Sequence, residues 1–256
     1  ISMRYATEPD FERWGHRLEI HGLDLRHTPS VEAFCHHVTS SRDRLDYIVN
    51  NACQTVRRPP AFYEHMMELE QAAATDLTAA TRALLVGATT DLMTSTPTLG
   101  DASTAAPSSA QLSQVHLDPE DGLRGDALFP VGPLDQDLQQ VDLRSRNSWR
   151  LELDEVSSVE LLETQLVNAV APFVVNARLK ALMVQTPGRE KHVVNVSAVE
   201  GQFYRRLKTT RHPHTNMAKA ALNMMTRTSA ADYHHDGIHM NSVDTGWIND
   251  EDPIEL

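Results

Sequence analysis

The spacing of apolar residues predicts a strand, a helix and a second strand towards the carboxyl end of the chain. Residues 193–196 hold three valines in a run of strand length and β-branched composition. Apolar residues then recur at helical spacing over about 214–233, where Pro213 suits the first turn of a helix. Residues 238–243 form a second apolar run. This order predicts a βαβ unit with parallel strands and a right-handed crossover.

The same patterns predict further elements on the amino-terminal side. Residues 17–25 and 44–50 read as strands, and a helix is expected to begin near Thr28. A long helix is expected over 156–183, with a bend near Pro172. The fold predicted from these elements is α/β: a doubly wound parallel sheet in a three-layer α/β/α sandwich. Its strands are expected near 17–25, 44–50, 191–197 and 238–243.

The middle of the chain departs from these patterns. Residues 71–110 are rich in Ala, Thr and Ser. We interpret about 68–147 as a partly flexible insertion within a single domain that comprises residues 1–256. A separate domain is the alternative, although the segment holds few large apolar residues for a core. Residues 88–125 are expected to be the least ordered part, because little apolar burial offsets their ordering entropy.

Charge and composition exclude several classes of function. The net charge of −12 with neutral histidines argues against binding to nucleic acid or anionic membranes. No apolar run approaches the length of a membrane span and no signal peptide is visible, so a cytoplasmic location is expected. Cys35 and Cys53 are expected to be reduced thiols. The histidines show no spacing typical of a metal site, so no metal is expected.

Several short motifs occur at the ends of the predicted strands and on the two long helices. In chain order they are Asp24-Leu25, Asn50-Asn51-Ala52, Asn168, Asn195 with Ser197, Lys219, and Thr245-Gly246. In this layout the sequence resembles the short-chain dehydrogenase/reductase family. The resemblance implies a Rossmann-like fold and hydride transfer with NAD or NADP as the cofactor.

The resemblance also implies a role for each motif. The implied catalytic residues are Asn168, Ser197, Tyr204 and Lys219. The implied cofactor-binding residues are Asp24, Leu25, Asn50, Asn51, Ala52, Lys219, Thr245 and Gly246. Asn168 has a structural alternative, in which its side chain bonds the backbone where the long helix bends.

The sequence departs from the family at two catalytic positions. The family's catalytic serine falls on Ala198, next to Ser197, and its catalytic tyrosine falls on Thr215. A threonine hydroxyl is a far weaker acid than a phenol and cannot replace it. Tyr204 is the nearest phenol in the loop and is either a displaced acid or a packed side chain. Lys219 either binds the nicotinamide ribose or is a solvated helix lysine.

Two functions therefore remain open. One is an NAD(P)-dependent oxidoreductase acting on a small carbonyl or alcohol substrate. It is expected to be inactive as this chain, because the family's Gly-x-x-x-Gly-x-Gly loop does not occur and the fold is expected to be incomplete at both ends. The other is a pseudoenzyme that keeps the fold for binding or assembly. The family's helix pairing implies a homo-oligomer, most simply a dimer, formed through helices 156–183 and 214–233.

Overall fold

A three-stranded parallel sheet lies at the centre of the computed structural model, which describes residues 1–70, 77–85, 108–135, 140–246 and 253. The strands are β1 (Tyr47–Asn50), β2 (Lys191–Ser197) and β3 (Ile238–Asp244), and they pair in that order. All pairs are parallel. The strands expected at 44–50, 191–197 and 238–243 are therefore confirmed.

Nine α-helices occur in the described part of the chain. They are α1 (Ser2–Ala6), α2 (Phe11–Trp14), α3 (Thr28–Ser41), α4 (Pro60–Glu70), α5 (Ala79–Leu84), α6 (Ser109–Ser113), α7 (Ser158–Gln165), α8 (Ala171–Gln185) and α9 (Pro213–His235). The predicted helices at 156–183 and 214–233 correspond to α7 with α8 and to α9.

The strand expected over 17–25 is wrong. Its first residue belongs to the 3-10 turn Gly15–Arg17, and the segment makes a single isolated bridge, between Ile20 and Leu85. The Ile20 amide donates to the Leu84 carbonyl at 2.7 Å. A strand needs a neighbour for its backbone groups, and in the described chain this segment bridges only Leu85, the residue after α5. Apolar alternation alone therefore does not produce a strand here.

The main core lies between the sheet and one layer of helices. Val193 of β2 and Ile238 of β3 are fully buried against α8 and α9, and α3 packs on α8. On the other face of the sheet, Tyr47 and Val49 are 65% and 62% exposed. The described residues thus form an α/β fold with one helical layer, an incomplete version of the predicted three-layer sandwich.

A π-helical turn, Leu166–Val170, joins α7 to α8. It precedes Pro172, which has no amide proton and cannot continue the hydrogen-bonding ladder of an α-helix, so the chain widens locally. The combined helix, Ser158–Gln185, is long and apolar enough to cross a membrane. Met183 and Asn176 on this helix are buried in the protein interior. A helix in the core of a protein can have the same length and apolar composition as a membrane span.

The insertion expected over 68–147 is described in part, while residues 71–76, 86–107 and 136–139 lie outside the described residues. Phe129 packs edge-on against Phe62 of α4, with 6.0 Å between ring centroids. Asp121 is fully buried and pairs with Arg57. These described parts therefore contact the rest of the fold. Whether the segment is flexible, and whether the chain is one domain, stay predictions.

Candidate functional site at the carboxyl edge of the sheet

The parallel strands bring several predicted site residues to one edge of the sheet. Asn50 lies opposite Asn195, and Ser197 lies opposite Asp244 in the strand register. Asn50 and Ser197 are therefore on the same, carboxyl, edge, as the sequence predicts. In open α/β sheets this edge is where ligands bind.

The amide of Asn50 points into the core instead of away from this edge. Its Nδ2 donates to the Oδ1 atoms of Asn176 and Asn195, at 2.9 and 2.8 Å. Asn195 is completely buried and donates in turn to Thr226 Oγ1 at 3.0 Å. Ser242 of β3 also donates to Thr226, at 2.7 Å. This buried polar network links all three strands to α8 and α9, and the amide nitrogen of Asn50 is used within it.

Ser197 and Lys219 are neighbours, and each bonds the backbone beside the other. Ser197 Oγ donates to the Lys219 carbonyl at 3.3 Å, and Lys219 Nζ donates to the Val196 carbonyl at 3.0 Å. Both residues are 6% exposed. The absence of a side chain at Gly201 allows the loop after β2 to lie against α9, since a Cβ there would lie 2.5 Å from the Lys219 carbonyl carbon. The two side chains hold the end of β2 against α9.

Asn168 lies in the π-helical turn and is 1% exposed. Its Oδ1 accepts the Gln54 amide at 2.7 Å, and its Nδ2 donates to the Gln54 carbonyl at 2.9 Å. One side chain therefore satisfies both backbone groups of a residue in the loop after β1. This placement agrees with the structural alternative, although the partner is this loop and not the helix itself.

The two candidates for the acid–base group, Thr215 and Tyr204, do not reproduce the arrangement expected from the family. Thr215 is buried on the first turn of α9, and its Oγ1 has no hydrogen-bond partner among the described residues. Tyr204 is 90% exposed and lines a surface groove with Met217 and Met224. Lys219 lies on the buried side of the same helix. The structure does not bring Tyr204 and Lys219 together.

A polar cavity of about 500 Å³ contains three of the predicted cofactor residues, Asp24, Leu25 and Ala52. Arg26 binds both carboxylate oxygens of Asp24, with its Nη2 at 2.8 Å from Oδ2. Arg26 Nη1 also contacts Glu163 Oε1 at 2.9 Å. The acidic side chain expected to contact the cofactor is thus already neutralised within the chain.

A second arginine extends this ionic network to the insertion. Arg57 Nε donates to Glu163 Oε2 at 2.8 Å, and Arg57 binds both oxygens of Asp121, at 2.5 and 2.9 Å. Burial alone would raise the pKa of Asp121. The hydrogen bonds from Arg57 and from the Leu117 and Asp118 amides outweigh this and lower that pKa below its ordinary value. This network could not be predicted from the sequence, because no spacing rule connects its members.

The remaining predicted residues lie at exposed turns. Asp244 Oδ1 accepts the Gly246 amide at 2.8 Å, and its Oδ2 accepts the Val199 amide at 2.9 Å. Gly246 has φ of +74°, a conformation that favours glycine. Thr245 and Asn51 are exposed.

Histidines gather at both ends of α9. His212 and His214 lie at its beginning, and His234 and His235 form its last turn. A helix of 23 residues separates the two groups. Within the described ranges, no group of three or more His, Cys, Asp or Glu side chains is placed to hold a metal ion.

Comparisons with known proteins find a family model and a relative that each match part of this chain. Residues 147–252 match the family model described as enoyl-(acyl carrier protein) reductase. An uncharacterized protein of Acanthamoeba polyphaga mimivirus is 31% identical over 115 residues, which are 43% of this chain and 24% of that protein. The chain therefore spans about a quarter of that relative.

Solved structures with similarity to this chain include a dehydrogenase and an oxidoreductase. One is a short-chain dehydrogenase from Streptomyces avermitilis (TM-score 0.45, 14% identity), with 87% of this chain and 45% of the other covered. The other is an oxidoreductase of the short-chain dehydrogenase/reductase family from Brucella ovis, in complex with a partially ordered NAD (TM-score 0.45, 15% identity). This second match covers 89% of this chain and 62% of the Brucella ovis protein. The chain spans less than two thirds of either structure.

Proposed function

We propose that this chain is a divergent member of the short-chain dehydrogenase/reductase family that keeps the family's fold for binding and assembly without tyrosine-based proton transfer. The observation that carries the proposal is the residue found at the position of the family's catalytic tyrosine. Thr215 occupies the tyrosine position as a buried aliphatic hydroxyl. Such a group stays protonated at any working pH, whereas a phenol has a pKa of about 10 and can be lowered further.

The other catalytic positions support the same proposal. The side chains of Asn168, Ser197 and Lys219 each make hydrogen bonds to backbone groups that hold neighbouring elements together. A side chain that bonds the fold in this way is not free to polarise a substrate carbonyl. We therefore assign these three residues positioning and stabilising roles in this chain.

A nicotinamide dinucleotide does not fit the family's pose in these residues. The Asp24 carboxylate is bound by Arg26, and Lys219 is buried with its ammonium on the Val196 carbonyl. Neither is available to the cofactor without rearrangement. The cavity beside Asp24, Leu25 and Ala52 remains a binding site in this proposal, but no hydride-transfer step follows from the arrangement.

Assembly is the second part of the proposal, and exposed apolar side chains on α7, α8 and α9 support it. Leu162 of α7 and Phe173 of α8 are 61% and 58% exposed, and Met217 and Met224 of α9 are 52% and 58% exposed. Clustered large apolar side chains on a surface indicate an interaction site. We propose that two copies pair through these helices, in the cytoplasm, where the free thiols of the chain would stay reduced.

Light scattering after size exclusion tests the assembly. The double variant Met217→Glu/Met224→Glu should shift the protein to monomer, because two buried carboxylates would face each partner helix. Val131→Glu is the matched control, since Val131 is 77% exposed on a loop. A wild-type chain that is monomeric at all concentrations would contradict the pairing.

The catalytic part is tested by turnover with NADH or NADPH and a panel of aldehydes and ketones. We expect no rate above the background. The rival function is an oxidoreductase in which Tyr204, exposed at a surface groove, is a displaced acid. In that case Tyr204→Phe should lower the rate by about a hundredfold or more, the low end for a general acid. Thr215→Val should leave any rate within about a few-fold of the wild type, because that hydroxyl cannot act as the acid.

A further inference from the structure

A basic loop leads into α9 in a chain that is otherwise acidic. Residues 205–211 carry four positive side chains, Arg205, Arg206, Lys208 and Arg211, while the whole chain has a net charge of −12. The simplest explanation is a solvated surface loop. The structure argues for more than that, because three of the four side chains surround a cavity.

The cavity has a volume of about 160 Å³ and lies between this loop, Trp149 and the start of α9. Arg205, Lys208 and Arg211 line it, together with one carboxylate, Glu200. Glu200 already pairs with Arg205. The lining therefore keeps a surplus of two positive charges, which no acidic residue of the lining neutralises.

A buried imidazole forms the floor of this cavity. His212 is 8% exposed, and its ring stacks on Trp149 with 4.1 Å between the ring centroids. Its Nδ1 has no hydrogen-bond partner among the described residues. Leaving a buried polar atom unpaired costs about 1–3 kcal/mol, so this nitrogen is expected to meet a ligand or an ordered water. Burial, with the nearby charge of His214, lowers the pKa of His212, which favours a neutral ring.

The start of α9 adds to the same electrostatic effect. His212 precedes the helix and provides no side-chain cap for its first amides. Uncapped amides and the helix dipole make the start of a long helix favourable for an anion. The surplus positive charge and the helix start thus both favour negative charge in this space, and the neutral imidazole can donate to an anion in the tautomer that carries its proton on Nδ1.

We propose that this cavity binds a single phosphate group, either as the free ion or at the end of a phosphomonoester. Its volume equals that of roughly five waters at about 30 Å³ each. Pockets for whole small-molecule ligands are larger, about 300–1,000 Å³. A phosphate group fits this space, whereas a nucleotide does not. The site shares no lining residue with the cavity beside Asp24, whereas Glu200, Lys208 and Asn216 also line the groove beside Met217 and Met224.

The test is calorimetric titration of the wild-type chain with inorganic phosphate, and separately with glycerol 3-phosphate, at constant ionic strength set with sodium chloride. Trp149 fluorescence follows the same titrations. Saturable binding is expected for at least one of the two. Tighter binding of glycerol 3-phosphate would identify a phosphomonoester as the ligand, and equal or weaker binding would identify free phosphate.

Variants separate a built site from the general charge of the loop. Lys208→Gln/Arg211→Gln should weaken binding by about tenfold or more, because two charge-assisted hydrogen bonds are lost. Arg206→Gln is the control: it removes one positive charge from the same loop at a position outside the cavity lining. It should change the affinity by less than about threefold at physiological salt, where exposed charges are screened.

His212→Phe keeps the stacking on Trp149 and removes the nitrogen, and it should also weaken binding. Circular dichroism confirms that each variant is folded. Absence of saturable binding by the wild-type chain would overturn the proposal. An equal loss in Arg206→Gln and in Lys208→Gln/Arg211→Gln would overturn it as well, since the loop would then act only as a diffuse charge.

Discussion

Replacement of Asn168 by leucine separates a structural role from a catalytic one. The substitution keeps the size of the side chain and removes its hydrogen bonds to the amide and the carbonyl of Gln54, at 2.7 and 2.9 Å. Each backbone group left unpaired in the interior costs about 1–3 kcal/mol. Gln54 is half-buried, so water can reach part of the loop, and we expect a loss of roughly 2–4 kcal/mol in the free energy of unfolding.

Thermal unfolding followed by circular dichroism measures this loss. For a protein of this size it corresponds to a fall in Tm of roughly 5–15 °C. Hydrogen exchange at the Gln54 amide should become faster in the variant. Asn51→Leu is the control, because Asn51 is exposed in the same loop and should change stability by less than about 0.5 kcal/mol. An Asn168→Leu protein as stable as the wild type, or more stable, would refute the structural role.

Three further predictions concern other parts of the fold. Gly201→Ala should destabilise the protein by about 1–3 kcal/mol, because its Cβ would meet the backbone of α9; Gly122→Ala, which meets nothing within 4 Å, should not. Burial raises the pKa of Cys35 to about 11, so iodoacetamide at pH 8 should label Cys53 and spare Cys35, and equal labelling would contradict this. Asp121→Asn should destabilise the fold at pH 7. Because the pKa of Asp121 is lowered on folding, its contribution is present above about pH 4 and is lost as the pH falls through the lowered value. Urea titrations should show the wild type and the variant converging in acid, and a constant difference would contradict the assignment.

The helices and the paired strands could be predicted because their signals are local. The long helix pair α7 and α8 carries its own start signal: Ser157 Oγ accepts the Glu160 amide at 3.1 Å. The βαβ unit is marked by the valines of β2 and by Gly237, whose φ of +75° ends the turn after α9. The segment 17–25 has the same apolar alternation. It failed as a strand because pairing depends on a neighbour, which is not a local property.

The candidate site was predictable in its layout and not in its interactions. The sequence places Ser197 and Lys219 at a strand end and on the following helix, and the structure brings them together. Which way a side chain points is decided by its surroundings, as in the inward amide of Asn50. The pairing of Arg57 with Asp121 spans 64 residues. No periodic pattern carries that information, so the ionic network emerges only from the fold.

Calorimetric titration of this chain with NADH and with NADPH tests the central claim most directly. The claim is that Asp24 and Lys219 are occupied within the fold and do not hold a dinucleotide. It predicts no saturable binding at micromolar concentrations of either cofactor. A Kd of about 10 μM or tighter, roughly −7 kcal/mol of binding free energy, that Lys219→Met weakens about tenfold or more, would contradict it and would show that these residues serve a cofactor.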